Sequence, residues 1–282
     1  MLIAQITDIH IGFDPGNPAE YNRKRLDEVL DVLIDGPNRP DLLLATGDIT
    51  DLGDADSYRR LATAFSRCPF PVWPSVGNHD LRHAFHAQFP GFDDGKGFVQ
   101  YAIELDDLRL VTIDTLEEGR HAGAFCADRA AWLDAELARV PAKPTYIVMH
   151  HPPVETGIEW MNTDHREPWV ARFTDVVRRH SQVRGMICGH LHRAVTVAWE
   201  GRTVAICSST APQVSLDLRP IDEEHPDDRP MIVVEDPAYA LHSWNGRELV
   251  SFYDHAGAHT MLAKYDARLQ PLVRELRAER PG

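Results

Sequence analysis

The chain has 282 residues, 43% hydrophobic and 26% charged, which suits one globular domain or a domain with an appended lobe. Its formal net charge is −14, its arginines are scattered, and its densest acidic run is "IDEEHPDD" at 221–228. Such a surface lacks the basic stripe that grips a nucleic-acid polymer, so no nucleic-acid partner is expected. No apolar run approaches the roughly 18–20 residues that cross a bilayer, so no membrane partner is expected either. The opening "MLIAQITDIH" has no basic n-region and no small-residue cleavage site, and reads as a core strand rather than a signal peptide. Cys68, Cys126, Cys188 and Cys207 lie far apart without a CxxC pair, which reads as free thiols in a reducing compartment, the cytoplasm.

In chain order, "LIAQIT" (2–7) is a strand, followed by a helix over 22–34 with Leu26, Val29, Leu30 and Leu33 on one face. "DLLLATGD" (41–48) is a second strand, then a helix follows at 55–67, a strand in "PVWPSVGN" (71–78) and a short helix near 80–88. "FVQYAIEL" (98–105) and "LRLVTID" (108–114) are β-like, 128–140 is helical, and "PTYIVMHHPP" (144–153) is a strand halted by two prolines. A helix at 167–180 leads to "VRGMICGH" (183–190), and 194–209 reads as a hairpin turning at Glu200–Gly201. This alternation predicts an α/β domain, mainly parallel in its first half and antiparallel later. After residue 210 the texture becomes polar and proline-bounded, with β-like stretches near 231–235 and 247–253. The expected division is a catalytic core over 1–209 and a C-terminal lobe over 210–282 within the same domain, serving as lid and oligomerisation element.

Five strand-like runs end in residues that bind metals: Asp8 and His10 in "DIH", Asp48 in "GD", Asn78, His79 and Asp80 in "GNHD", His150 and His151 in "MHH", His190 and His192 in "GHLH". Open α/β sheets gather their sites at the carboxyl ends of strands. In extended chain, residues two apart point to the same side, so the 8/10 and 190/192 pairs each present two donors together. Each motif alone has a bland reading as a turn, a helix cap or a solvated strand end; all five together do not. Carboxylate, amide and imidazole donors without thiolate suit Mn, Fe, Co or Zn.

The blocks "DIH…GD…GNHD…HH…GHLH" resemble the signature of the calcineurin-like metallophosphoesterases, in that family's order, over residues 8–192. "MHHPP" followed by "GIEWMNTD", and the late "GRELVSFYDHAGAH", are similar to its bacterial glycerophosphodiesterase and class III cyclic-nucleotide phosphodiesterase branch. The resemblance implies a four-layer α/β/β/α sandwich of two mixed sheets with two divalent metal ions. It assigns one ion to Asp8, His10, Asp48 and His192 and the other to Asp48, Asn78, His150 and His190, so the two histidines of "GHLH" straddle the pair. Asp48 bridges through its two oxygens. His151 either orients a ligand or faces solvent. The neutral Asn78 leaves the centre a surplus of positive charge for a phosphate, and the metals lower the pKa of a bridging water so that hydroxide attacks phosphorus.

His79 is implied as the group that stabilises the transition state or protonates the leaving group; Asp80 either orients it or caps the next helix. The purple acid phosphatases of the superfamily carry a tyrosine where this chain has Asp51, so no iron–tyrosinate colour is expected. The expected activity is hydrolysis of small phosphodiesters, glycerophosphodiesters or 3′,5′-cyclic nucleotides. A monoesterase on nucleotides or phosphorylated metabolites and a non-catalytic scaffold are the alternatives. Substrate choice is expected from the late lobe, 210–260, and from loops near 12–22 and 154–166, with "WMNTDH" and "HSWNG" as pocket candidates. The resemblance also implies a homo-oligomer, a dimer or larger.

Overall fold

Alternation within single strands decides the layering. In the strand Leu42–Thr46, Leu42 and Leu44 pack toward a second sheet while Leu43 and Ala45 pack toward helices. In Thr145–Val148 the same split sends Val148 between the sheets and Ile147 toward the opposite helices.

The computed structural model describes residues 1–280. The first half builds β1 (Leu2–Ile6), α1 (Tyr21–Asp35), β2 (Leu42–Thr46), α2 (Ala55–Phe65), β3 (Val72–Ser75) and α3 (Arg82–Gln88). Next come β4 (Tyr101–Glu104), β5 (Arg109–Thr112), α4 (Ala127–Ala138), β6 (Thr145–Val148), α5 (Pro168–Arg178) and β7 (Val183–Cys188). The rest is β8 (Val195–Trp199), β9 (Arg202–Ile206), β10 (Gln213–Val214), β11 (Ile232–Val233), β12 (Ala238–Trp244), β13 (Leu249–His255) and α6 (Gln270–Ala278).

One sheet runs β13-β12-β1-β2-β3 and the other β4-β5-β6-β7-β9-β8. Both are mixed: β1, β2 and β3 are parallel, as are β5, β6, β7 and β9, while β12, β13, β4 and β8 join antiparallel. Ile3, Leu44, Leu110, Val148, Ile187 and Trp244 fill the space between the sheets. The helices α1–α3 cover the first sheet through Leu26, Leu30, Tyr58 and Phe85; α4 and α5 cover the second through Leu133 and Phe173. This is the expected four-layer sandwich. The β8–β9 hairpin turns at Glu200 and Gly201, both with positive φ (51° and 71°), the geometry that matches the twist of two joined strands.

The segment after 209 returns to the body of the domain. β12 lies beside β1, with Leu2 opposite Ser243, so the chain returns to complete the first sheet. The late β-like stretches belong there and in a small β10–β11 ribbon. The tryptophan of "HSWNG" is a packing residue, buried between the sheets with its indole N–H donating to Asp107 at 2.8 Å.

Candidate metal centre

The strands stop before the donors begin. β1 ends at Ile6 and β7 at Cys188, so Asp8, His10, His190 and His192 all sit in loops. Their φ angles are 50°, 52°, 75° and 52°, and Asp48 has 46°. Five of the seven non-glycine residues with positive φ, among the described residues, are these candidate ligands. The pairs therefore converge through left-handed turns, which correct the reading from extended same-side spacing. Left-handed backbone costs a side-chain-bearing residue on the order of 1–3 kcal/mol, and it persists where the surroundings over-determine it.

The donors fall into two groups. His10 Nε2 faces His192 Nε2 at 3.3 Å, and His192 Nε2 lies 3.5 Å from Asp8 Oδ1. On the other side His150 Nε2 lies 3.2 Å from Asp48 Oδ2, with the His190 ring 5.2 Å from the His150 ring. Asp48 Oδ2 is also 3.9 Å from His10 Nε2, so this one oxygen faces both groups. Its other oxygen accepts the backbone N–H of His79 at 2.8 Å.

The second nitrogen of each ring decides what the first can do. His150 Nδ1 donates to Thr46 O at 3.0 Å and His192 Nδ1 to Pro212 O at 2.8 Å, while His10 Nδ1 meets Asp51 Oδ1 at 3.0 Å. Their Nε2 atoms are thereby left to point lone pairs inward. Asp8 Oδ1, Asn78 Oδ1 and His150 Nε2 are buried without a hydrogen-bond partner, an expensive arrangement unless a cation sits among them. These residues fit a pair of divalent ions.

The protonation balance agrees. Burial opposes charge on His150, but the Asp48 and Asp8 carboxylates outweigh it and raise it to about 9. The same contest, with Asp51 added, raises His10. Burial works against the Asp48 carboxylate, yet His150, His10 and His79 hold it well below the usual range. Burial dominates at His190, reinforced by His151 and His150, and at His192 against the pull of Asp8, so both are pushed down and neutral.

Glycine makes the close approach possible. A Cβ on Gly77 would meet Asp48 Oδ1 at 2.3 Å and the His150 ring at 2.7 Å, so the residue before Asn78 has no room for a side chain.

His79 projects into the cavity beside the cage, its Nδ1 donating to Asp51 O at 3.0 Å and its side chain 32% exposed. Asp80 does not hold it, and neither sequence reading of Asp80 survives. Asp80 is buried and accepts from the backbone N–H groups of Gly77, Ile49 and Thr50 and from the hydroxyls of Thr50 and Tyr58. It ties the loop after β3 to the loop after β2, while α3 is capped at Leu81 without a side-chain bond. Burial and the neighbouring Asp48 push it up to about 6. The orienting residue is Asp51, which meets both His79 and His10; in the sequence it stood out only as the position of a missing tyrosine.

His151 does not face solvent. It is fully buried, its Nδ1 accepting from Thr115 Oγ1 at 2.8 Å and its Nε2 donating to His121 O at 3.1 Å. Burial and His150 push it down to about 3, so it is a neutral wall packed edge-on against His150. His121 escaped the sequence reading because a lone histidine in "EGRHAG" carries no spacing signal. Asn78 Nδ2 donates to its Nδ1 at 3.4 Å, which turns Asn78 Oδ1 toward the cage.

A cavity of about 850 Å³ opens onto these groups. Its walls come from the three segments expected to choose the substrate: Phe13 and Tyr21, then Trp160 and Met161, then Pro212, Val214 and Ile232. Arg25 fixes the third wall, donating to the carbonyls of Thr210, Ala211 and Glu235. Among the described residues, no lysine or arginine lines the cavity.

A double sandwich with Asp, Asn and His donors clustered at its strand ends defines a phosphoester hydrolase built around a dinuclear centre. The calcineurin-like phosphoesterase model matches residues 1–194. The chain is 31% identical to a probable glycerophosphodiester phosphodiesterase of Arcobacter nitrofigilis, over 86% of this chain and 89% of the relative. It is 33% identical to a probable cyclic nucleotide phosphodiesterase of Rhodopseudomonas palustris, over 78% of this chain and 85% of that one. Its fold is similar to that of a dimetal phosphatase from Danio rerio, with a TM-score of 0.59 at 16% identity, covering 89% of this chain and 98% of the other. The chain belongs to the calcineurin-like phosphoesterase family, whose members use a dinuclear divalent metal centre. Among the described residues, no helix is long and apolar enough to cross a membrane.

Proposed function

We propose that the protein hydrolyses small phosphodiesters, glycerophosphodiesters or 3′,5′-cyclic nucleotides, with Asp8, His10, Asp48 and His192 holding one metal ion and Asp48, Asn78, His150 and His190 the other. Mn, Fe, Zn and Co all suit these donors. When bound, such ions supply Lewis-acid charge and an activated water.

The chain's own groups do the rest. Asn78 contributes an oxygen without charge, so the cage keeps a positive surplus for a phosphate. His79, its Nδ1–H donating to a carbonyl, gives a proton to the departing alkoxide from Nε2 when the ring is the imidazolium, and is left as the neutral Nδ1–H form. The aromatic and aliphatic walls exclude water from the ester's organic arms.

The observation that carries the diester over the monoester is the missing cation. A phosphomonoester is a dianion near neutrality and calls for arginine or lysine around its second charge, whereas a diester brings one charge. No such side chain lines this cavity among the described residues. With manganese-loaded protein, turnover of bis-nitrophenyl phosphate exceeds that of the mono-ester, and a panel of glycerophosphodiesters and cyclic nucleotides then ranks the natural class. The reverse preference returns the monoesterase reading. The homo-oligomer belongs to the same proposal: α6 buries none of its residues, leaving Leu272 and Leu276 half exposed for a second copy, and light scattering reports the mass.

A further inference from the structure

We propose that Asp236, Asp254, His255 and His259 form a second, separate metal site that takes one divalent ion of the zinc class. The four residues lie where β13, the edge strand of the first sheet, ends and the chain folds back over the start of β12. None of them lines the cavity at the catalytic cage.

Ligand atoms of Asp254, His255 and His259 all lie within 4.8 Å of one another. His255 Nδ1 is 3.4 Å from Asp236 Oδ2, and His259 Nε2 is 3.9 Å from Asp254 Oδ1. Donors arranged tetrahedrally about zinc sit about 3.4 Å apart, so one pair already has the required spacing and the others close by small side-chain rotations. Two imidazoles and two carboxylates form a borderline donor set that selects zinc-class ions over calcium or magnesium.

Three backbone and side-chain features hold the donors in place. Ala238 pairs with His255 at the end of the β12–β13 ladder, and Ala256 N donates to Pro237 O at 2.8 Å, which keeps the two segments side by side beyond the sheet. A Cβ on Gly257 would meet Asp236 Oδ2 at 1.9 Å, so the loop reaches that carboxylate only because a glycine is there. The buried Tyr239 hydroxyl donates to Asp254 Oδ2 at 3.1 Å, which orients the carboxylate. The donor side chains are about half exposed, so an ion reaches them from solvent without any opening of the fold.

Calorimetric titration of zinc chloride into untagged, full-length protein whose catalytic cage is already metal-loaded tests this. The expected result is one further equivalent per chain, lost in His255→Ala and His259→Ala and weakened about tenfold in Tyr239→Phe. Diester turnover stays at the wild-type level in all three. Asp48→Asn, which damages the catalytic cage, retains the additional equivalent. Superimposable titrations for wild type and the His255→Ala/His259→Ala double variant overturn the proposal and leave the cluster as a pair of surface ion pairs. Because the four residues are exposed, loss of folding does not confuse the result; unchanged circular dichroism verifies this.

Discussion

The two nitrogens of His79 have different tasks. Nδ1 is spent on Asp51 O, which fixes the ring plane and leaves Nε2 for the substrate. A ring nitrogen lies within 4.8 Å of ligand atoms of His10 and Asp48, but Nδ1 is committed to a carbonyl and the hydrogen bond to Asp48 comes from the backbone N–H. His79→Ala is therefore expected to keep both metals and to lose about 10²–10⁴-fold in turnover on alkyl diesters, whose leaving groups need a proton. On nitrophenyl diesters the loss is far smaller. Metal analysis alongside kinetics on both substrates checks this, and equal losses on the two would remove His79 from proton delivery. Asp51 meets both histidines: its carbonyl accepts from His79, and its carboxylate meets His10 at 3.0 Å while lying 3.7 Å from His79 Nδ1. Asp51→Ala keeps the carbonyl and deletes the carboxylate, so it is expected to weaken metal binding by about 10–100-fold while the leaving-group dependence stays that of the wild type. Competition with a chelator measures the first, and a series of aryl diesters the second.

Among the elements, β12 is the one whose chemistry runs against its position. It lies between β1 and β13 yet carries His242, which is fully buried with Nε2 donating to Gln5 Oε1 at 3.0 Å and Nδ1 accepting from Ser251 Oγ at 2.7 Å. Burial pushes this imidazole from 6.5 down to about 4. The unfolded chain therefore binds a proton below pH 6.5 that the folded chain refuses, so its contribution to stability is complete above 6.5 and is lost as the pH falls toward 4. From about pH 7 to about pH 4.5 this one group is expected to cost about 2–3 kcal/mol. Urea unfolding at the two pH values, in wild type and in His242→Gln, isolates it: the variant loses less stability on acidification, and identical losses would rule the linkage out. The same polar residues hid β12 in the sequence, because His242 and Ser243 break the apolar run by which β2 and β7 are recognised. The donor set was legible for a different reason, since every block follows a predominantly apolar strand. What the strand pattern could not convey was the left-handed backbone at Asp8, His10, Asp48, His190 and His192, or that Asp80 turns away from the imidazole next to it. Both depend on loops meeting across the sheet, as when Asp80 reaches Ile49 and Thr50. His121 and Asp51 matter through such cross-loop contacts too, and single residues in loops have no periodicity to betray them.

At the scale of the whole molecule two fields oppose each other. The formal net charge of −14 repels an anionic substrate at long range, and two divalent cations in the cage leave the protein still strongly acidic. Attraction begins only inside the cavity, where the ions lie among buried donors and the walls bring no lysine or arginine among the described residues to extend the positive field outward. Salt treats the two fields unequally. At about 0.1 M the Debye length is about 10 Å, so the long-range repulsion is screened while contacts at the buried cage are barely altered. The expected outcome is that kcat/KM for a monoanionic diester rises a few-fold as sodium chloride is increased from about 0.01 to about 0.2 M, with kcat unchanged, because only the encounter is affected. A dianionic monoester, feeling twice the repulsion, shows a steeper rise. Steady-state kinetics in a non-coordinating buffer reads both slopes. A decrease in kcat/KM with salt would mean that positive potential reaches beyond the cavity mouth, and the substrate would then be steered in by a surface that this acidic chain does not display.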